Sequence, residues 1–478
     1  MGENLGYLLV PIALAALVVS AKHWRGATAA VMVLLIFEGA LRKWVLPEAQ
    51  TAIYLAKDIV LLGAYFGFIA AKGVATPVPE ASPVLALVGM AAVYGALEIM
   101  NPALPSVTLG FVGWKSYFFY VPLVFLVPHL FSSSEQMLRI LRRYALLGLP
   151  IAALGGMQFY SPADSAINTY VQHQGDATAT VLFGEDFNRA RVAGTFAFIS
   201  GYTAYLTVLA LFIVGLLAGV RWQAKGNVAL YFTLGAALVA MFTTGSRAPV
   251  YSLLLAAPVY LLFSAKTGDL SVGSALKAAI GVMALLASIS FLAPEPLDAF
   301  VLRADQSEDT ESRFLDTIVE PFQILDQVGV AGFGIGAAHQ SASYLVGDGF
   351  SWWTNGLVVE AETSRVMLEL GPLGFILVFL FRILLALSAL RAALALKLRA
   401  HRALALVIGL YLVLQALGSV IFNPTADIYY WFAAGLLFAL YRLERGVTTG
   451  SNEVARVLVY GHGREPGVTE ARKRKLQA

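Results

Sequence analysis

The sequence contains no cysteine, which excludes a disulfide framework, a thiol nucleophile and a thiolate metal site. Charged residues are scarce as well, at 13% of the 478 residues, whereas soluble domains contain about 25%. Hydrophobic residues make up 58% of the chain, and the mean hydropathy is +0.73. The apolar segments are long and continuous rather than alternating. The composition therefore predicts a polytopic membrane protein built from α-helices.

About thirteen apolar segments approach the length of roughly 20 residues that a helix needs to cross a bilayer. No basic region precedes the first of them within Met1–Ser20, so we expect it to be retained rather than cleaved as a signal. If it does not cross, about twelve spans remain. We predict an all-α polytopic membrane protein with about 12–13 transmembrane helices. The candidate spans lie near 5–21, 27–41, 51–71, 83–100, 107–131, 141–159, 192–219, 228–244, 247–264, 276–293, 366–391, 402–422 and 427–442.

Lysine and arginine residues predict the orientation, because they concentrate in the cytoplasmic loops of membrane proteins. Four basic segments fall on one side of the predicted topology, together with the basic tail 444–478. The opposite, extracytoplasmic side receives the loops 161–191 and 294–365 and the short connection 422–426. The four basic segments are Arg139–Arg143, Arg221–Lys225, Lys266–Lys277 and Arg391–Arg402.

The longest polar interval is the loop 294–365, which we expect to cap a site at the membrane surface and to contain short amphipathic helices. Apolar residues at 314, 315, 318, 319, 322 and 325 share one helical face, which predicts a helix lying on the membrane surface. A glycine-rich run, Gly329–Gly336, follows. No Gly-Lys-Ser/Thr accompanies it, so it is not a nucleotide-binding P-loop. We interpret it as a flexible turn at which the backbone approaches a ligand.

Two arginines lie at predicted outer helix ends. Arg247 follows a Thr-Thr-Gly-Ser turn (243–246) at the start of a helix, where backbone N–H groups and the helix dipole favour anions. Arg191 ends the loop 161–191 and leads directly into the next span. A guanidinium in such a place can bind a diphosphate, or it can simply anchor the helix at the interface. The residues alone leave both interpretations open.

Several ionisable residues lie inside or beside apolar segments. Glu369 is about one turn inside a helix, where such a group is usually paired or functional. Arg365, four residues earlier, is its expected partner, and we expect Lys57 and Asp58 to neutralise each other. His339 is the only histidine of the loop 294–365. No histidine or carboxylate spacing indicates a metal site, and we expect neither a metal nor another cofactor.

Four ordered segments resemble the O-antigen ligase and O-antigen polymerase family of bacterial integral membrane glycosyltransferases. The resemblance divides the chain into N-terminal transmembrane helices (1–160), a ligase- or polymerase-like core (161–443) and a polar cytoplasmic tail (444–478). A further segment, Glu38–Trp44, is similar to one branch of the family. The four core segments are Arg191–Phe196, Thr244–Arg247, Ser312–Arg313 with Val330–Gly336, and Glu369–Gly374.

The resemblance implies that an undecaprenyl-diphosphate-linked saccharide enters from the outer leaflet of the bacterial inner membrane. A sugar hydroxyl of the acceptor attacks the anomeric carbon, and undecaprenyl diphosphate leaves without help from a metal ion. The implied partners are the glycan acceptor, the lipid bilayer and a chain-length regulator or other polysaccharide assembly proteins, but no nucleic acid. By position, the residues expected to hold the diphosphate on the periplasmic face are Arg247, Arg313, Arg191 and Arg365, with Arg42 and Lys43 as additional cations.

One departure from the family concerns the general base that the acceptor hydroxyl requires. Ligases of this family have a His-Asn pair where this chain has Glu360 and Ala361. Glu360, Glu362 or His339 can take that role, so the catalytic base stays open among the three. The departure favours a polymerase of O-antigen or exopolysaccharide over a ligase.

Two other classes of function compete with the enzyme. One is a transporter or flippase for polysaccharide or lipid-linked glycan, and the other is a structural assembly scaffold. A transporter should have charged residues at mid-membrane, discontinuous helices or internal repeats. This chain instead concentrates charge in one outer loop and at outer helix ends, which favours the enzyme.

Overall fold

The computed structural model describes residues 2–73, 78–171, 183, 189–218, 227–268, 291, 294–305, 310–346, 359 and 361–460. Throughout these residues the secondary structure is helical, with no β-strand. Short 3₁₀ and π turns extend several helix ends, such as the π turn Leu41–Val45. The α-helices are α1 (Gly2–Lys22), α2 (Trp24–Ala40), α3 (Gln50–Lys72), α4 (Ser82–Glu98), α5 (Val107–Phe118), α6 (Leu123–Leu126), α7 (Ser134–Leu146), α8 (Gly148–Tyr160), α9 (Ile199–Ala218), α10 (Asn227–Thr243), α11 (Arg247–Lys266), α12 (Pro294–Asp305), α13 (Thr310–Gln323), α14 (Leu325–Val328), α15 (Ala342–Val346), α16 (Glu362–Ala395), α17 (Arg399–Leu414) and α18 (Pro424–Tyr460).

The chain is an all-α polytopic membrane protein, as the composition predicts. Among the described residues, seven helical segments are long and apolar enough to cross a membrane, and two apolar helices, Val10–Lys22 and Asn227–Thr243, are shorter. The number of about 12–13 crossings stays a prediction, and most of the predicted span 276–293 lies outside the described residues. The seven segments are Trp24–Val45, Pro47–Lys72, Pro79–Glu98, Val107–His129, Ile199–Ala218, Arg247–Lys266 and Glu362–Ala395.

Helix α9 lies at the centre of the bundle, because it packs against α7, α10, α11, α17 and α18. Most of its side chains are buried, as expected for a helix that is apolar on all sides. Helices α1, α2 and α3 form a group at the N-terminal side of the chain, and α16 packs against both α17 and α4. The core is therefore assembled from segments that are far apart in the sequence.

Polar contacts gather several helix ends at one end of the bundle. His401 of α17 contacts Oε2 of Glu444 through Nδ1 (3.1 Å) and Oγ of Ser134 through Nε2 (3.0 Å). These contacts bring the start of α7 together with the basic segment Arg391–Arg402. The residues Arg139–Arg143 lie within α7, rather than in a loop as predicted.

The amphipathic stretch of the loop 294–365 forms α13 and α14. Its apolar residues Leu315, Ile318, Val319 and Phe322 are exposed, whereas the other side of α13 packs against α16. A helix with an exposed apolar face of this kind is suited to lie in a membrane interface. The helix is where the sequence predicts it.

Candidate functional site

Two of the segments that carry the family resemblance touch each other. Thr195 Oγ1 donates to the carbonyl of Ile36 (2.6 Å), and Lys43 Nζ donates to the carbonyl of Gly194 (2.7 Å). At Gly39 a Cβ would come within 2.2 Å of the backbone of the 195–197 loop, so only glycine permits this approach. The end of α2 is thereby packed against the loop that leads into α9.

The same loop contacts the turn between α10 and α11. Arg191 Nε donates to the carbonyl of Thr244 (2.9 Å), and the Val192 N–H donates to the carbonyl of Thr243 (3.0 Å). Gly245 adopts a φ of +61°, which a side chain would disfavour, and so allows α10 to end in a tight turn. Arg191 and the start of α11 are therefore held side by side.

Three half-buried arginines collect at this place, and we name Arg191, Arg247 and Arg303 the basic seam. Arg247 is the first residue of α11, where helix N–H groups favour an anion. Arg303 lies on α12 and interacts electrostatically with Arg191. Burial lowers the pKa of Arg191 to about 10, and the positive charge of Arg303 acts in the same direction. Arg191 therefore stays protonated at neutral pH.

An ion pair ties α12 to the seam. Arg189 donates to Oε1 of Glu295 at 2.6 Å, and the rings of Phe242 and Phe300 meet edge to face at 5.3 Å. The start of the loop 294–365 is therefore fastened to the C-terminal end of α10. The positive charges of Arg191 and Arg303 repel each other, and a bound anion offsets that repulsion.

Arg42 does not join the seam, although its position predicted an additional cation for the diphosphate. It is buried, and its Nη1 donates to Oε1 of Glu38 (3.1 Å). Lys57 binds the other oxygen of the same carboxylate (2.9 Å). The charge of Arg42 is thus engaged inside the protein. Only its neighbour Lys43 reaches the loop that precedes α9.

The expected pairing of Lys57 with Asp58 is wrong. Adjacent residues on a helix point in different directions, so each finds its own partner. Asp58 binds Nζ of Lys115 at 2.5 Å and accepts from the Tyr120 hydroxyl at 2.8 Å. Lys57 pairs with Glu38 instead.

The glycine-rich run is bound to a break in α16. Gly371 has a non-helical conformation there (φ 60°, ψ −173°), and Pro372 follows it. Proline removes an N–H and displaces the preceding turn, which leaves carbonyls without helical partners. Three of these carbonyls accept hydrogen bonds: Leu368 from Phe333 N (2.9 Å), Glu369 from Gly334 N (3.0 Å) and Leu370 from the Tyr94 hydroxyl (3.0 Å).

The glycine run therefore packs closely against α16. The sequence had predicted that its backbone approaches a ligand. Gly332 has a φ of +71°, and a Cβ on it would lie 2.6 Å from the Gly371 nitrogen. Gly336 is similarly close to Gly113 of α5. Two resembling segments, 330–336 and 369–374, thus form one packed unit.

Glu369 is fully buried at this break. Its Oε1 accepts from the backbone N–H of Ala338 (2.8 Å). Arg365, the expected partner, interacts with Glu369 electrostatically, but no hydrogen bond joins the two side chains among the described residues. The guanidinium of Arg365 lies over the ring of Phe422 instead, 5.3 Å from its centroid. Arg365 is half-buried and lies apart from the contacts that build the basic seam.

Glu362 is not suited to act as a general base in this arrangement. Its Oε1 is 2.6 Å from Nη2 of Arg382, and its Oε2 accepts from the Phe422 N–H (3.2 Å). Both side chains of the ion pair are 2% exposed. A carboxylate with both oxygens engaged and no access to solvent stabilises its partner rather than accepting a proton from a substrate.

His339 is half-buried beside the glycine run, and its Nδ1 accepts from the Ser341 N–H (3.0 Å). A neutral imidazole that accepts at Nδ1 carries its proton on Nε2. Glu360 and the side chain of Arg313 lie outside the described part of the structure.

Sequence reasoning missed three residues. Arg303 has no distinguishing pattern, because it is an isolated arginine in a polar loop. Arg382 and Asp427 did have a signal, since an ionisable residue inside an apolar span is costly and usually paired or functional. Asp427 is buried in the first turn of α18 and interacts electrostatically with both members of the Glu362–Arg382 pair.

Neither comparison with known proteins assigns the chain to a family: no family model matches it, and no curated protein matches it.

Proposed function

We propose that the protein is a membrane-embedded, metal-independent glycosyltransferase that uses an undecaprenyl-diphosphate-linked oligosaccharide. It would act on the outer face of the bacterial inner membrane, with a site that opens to the periplasm. The observation that supports this function is the basic seam. It joins two segments of the family resemblance, 191–196 and 244–247, with a third arginine from the loop 294–365.

The seam suits a leaving diphosphate. As the acceptor hydroxyl attacks the anomeric carbon, the bond between that carbon and the diphosphate oxygen breaks, and negative charge develops on the departing group. Arg191 is held by the carbonyl of Thr244 before the reaction begins, and with Arg247 and Arg303 it can stabilise this charge with little rearrangement. Guanidinium groups also match phosphate oxygens in geometry.

The proton of the acceptor hydroxyl passes to a base. Glu362 is engaged with Arg382, and Nδ1 of His339 is engaged with a backbone N–H. We therefore assign this role to Glu360, which occupies the position of the base in the resembling ligases. Replacement of the ligase His-Asn pair also favours a polymerase of O-antigen or exopolysaccharide over a ligase.

Single substitutions in a strain that depends on this protein test the seam. Arg191→Ala, Arg247→Ala and Arg303→Ala should each abolish polymer formation while membrane insertion is retained. Arg391→Ala is the control, because Arg391 is an exposed cation that lies outside the seam. Normal chain-length output from all three seam variants would refute the proposal.

The glycan profile of a deletion strain separates the alternatives. A polymerase leaves single lipid-linked units on the periplasmic face and no polymer. A ligase leaves polymer on the undecaprenyl carrier but none on its acceptor. A flippase, the competing function, leaves lipid-linked units on the cytoplasmic face, where periplasmic glycosidases do not reach them.

A further inference from the structure

A second basic concavity lies at the opposite end of the bundle from the seam. It is formed where α9 and α11 end and α17 begins, and it is a partly open concavity of about 300 Å³, a volume that includes space open to the surroundings. The residues that matter for its chemistry are Ala218, Tyr260, Ser264, Arg399 and Arg402. No step of the proposed reaction uses this pocket.

The polar part of the pocket is built for an anion. Arg399 and Arg402 are three residues apart in the first turn of α17, so they lie on one face of that helix. Ser264 is only 6% exposed and lines the pocket. A serine and two arginines that line one pocket offer a hydroxyl and guanidinium donors to the oxygen atoms of a phosphate.

One carboxylate competes nearby and does not occupy the pocket. Glu444 accepts from the N–H groups of Lys397 and Leu398 and contacts His401. These contacts precede α17 or lie on the side of His401, which is directed towards Ser134 of α7. The arginines that line the pocket are on a different face of the helix.

The remaining walls are apolar, and lipid has lateral access to them. Ala218, Phe263 and Leu406 complete the lining. On α11 the side chains of Leu255 and Leu262 are exposed by 63% and 72%, so this helix presents an apolar face to its surroundings. An acyl chain can therefore lie along α11 while its headgroup enters between the helix ends.

We propose that this pocket binds the headgroup phosphate of an anionic phospholipid. Basic pockets between transmembrane helices are a common way to hold such headgroups. The position at the ends of α9 and α11, both of which are long and apolar enough to span a membrane, favours a lipid over a soluble phosphate. The proposal is independent of the glycosyltransferase reaction.

Native mass spectrometry of the full chain with phosphatidylglycerol tests the site. The wild-type protein should retain one phosphatidylglycerol molecule in preference to phosphatidylcholine. Affinity should fall about fivefold for each arginine removed and about 30-fold in Arg399→Ala/Arg402→Ala, at the usual contribution of one basic residue near an anionic lipid surface. Arg391→Ala is the control, since Arg391 is an exposed cation that does not line the pocket.

A second variant guards against misfolding of the double mutant. Ser264→Leu fills the pocket without changing its charge, and it should also lose the bound lipid. Equal losses in Arg391→Ala and the double variant would overturn the proposal in favour of diffuse surface attraction. Inorganic phosphate, added to protein in phosphatidylcholine nanodiscs, should raise the melting temperature less than phosphatidylglycerol does. An equal or larger rise would overturn the lipid assignment in favour of a soluble anion.

Discussion

Removing one member of the Glu362–Arg382 ion pair should destabilise the protein far more than removing a member of an exposed pair of equal length. Both pairs are 2.6 Å long, but Glu362 and Arg382 are each 2% exposed, whereas Arg189 and Glu295 are 27% and 38% exposed. An unpaired buried charge costs about 3–5 kcal/mol. An exposed pair contributes about 0–1 kcal/mol, since water and salt screen it.

Four variants and two double variants measure this difference. Glu362→Ala, Arg382→Leu, Arg189→Ala and Glu295→Ala are purified in one detergent, and their unfolding by dodecyl sulfate is followed by tryptophan fluorescence. The double variant at 362 and 382 should lose less stability than the sum of its single variants, because it leaves no unpaired charge. The double variant at 189 and 295 should be close to additive.

The reasoning fails if the two pairs lose equal stability. It also fails if the losses at Glu362 and Arg382 simply add. In the first case burial would not govern the strength of the pair. In the second case the two side chains would act independently, and the short distance between them would have no energetic meaning.

Three further substitutions, each measured by thermal unfolding in detergent, test the packing described above. Gly39→Ala should lower the free energy of unfolding by about 1–3 kcal/mol, because the backbone of the neighbouring loop must move. Gly26→Ala is the control, since Gly26 lies in the same helix with open space around it. It should raise the free energy of unfolding by about 1 kcal/mol through helix propensity. Gly332→Ala should lower the free energy of unfolding by about 1–3 kcal/mol more than Gly329→Ala does. Both glycines have a positive φ, but only Gly332 lacks room for a Cβ. Equal losses would contradict the packing of the glycine run against α16. Ser133→Ala should cost about 1 kcal/mol, because its hydroxyl caps α7; an unchanged melting temperature would contradict that role.

The class of fold could be predicted because composition and apolar segment length act locally. A run of apolar residues must satisfy its own backbone hydrogen bonds in a membrane, and a helix is the simplest way to do so. The same local reasoning placed Arg247 at a helix start and Arg191 at the entry to α9. It could not show that the two residues flank one turn, because that arrangement depends on how the segment before α9 packs against the end of α10.

The errors share one physical cause, which is that partners of buried charges come from distant segments. Glu369 was expected to pair with Arg365 of its own helix, but its oxygen accepts from Ala338, two residues after the glycine run. Glycine patterns were equally ambiguous, since the absence of a side chain permits close approach to a ligand or to another helix. Only the positions of Gly332 and Gly371 in space distinguish the two.

The break in α16 has a mechanical consequence for the loop that precedes it. Phe333 and Gly334 supply the donors that the carbonyls of Leu368 and Glu369 lack, and an unsatisfied carbonyl in apolar surroundings costs several kcal/mol. Pulling the run 330–336 away would strand both carbonyls at once. Opening a hinge between the run and the broken helix therefore costs both hydrogen bonds, so a force applied to this part of the loop is transmitted to the membrane-spanning bundle.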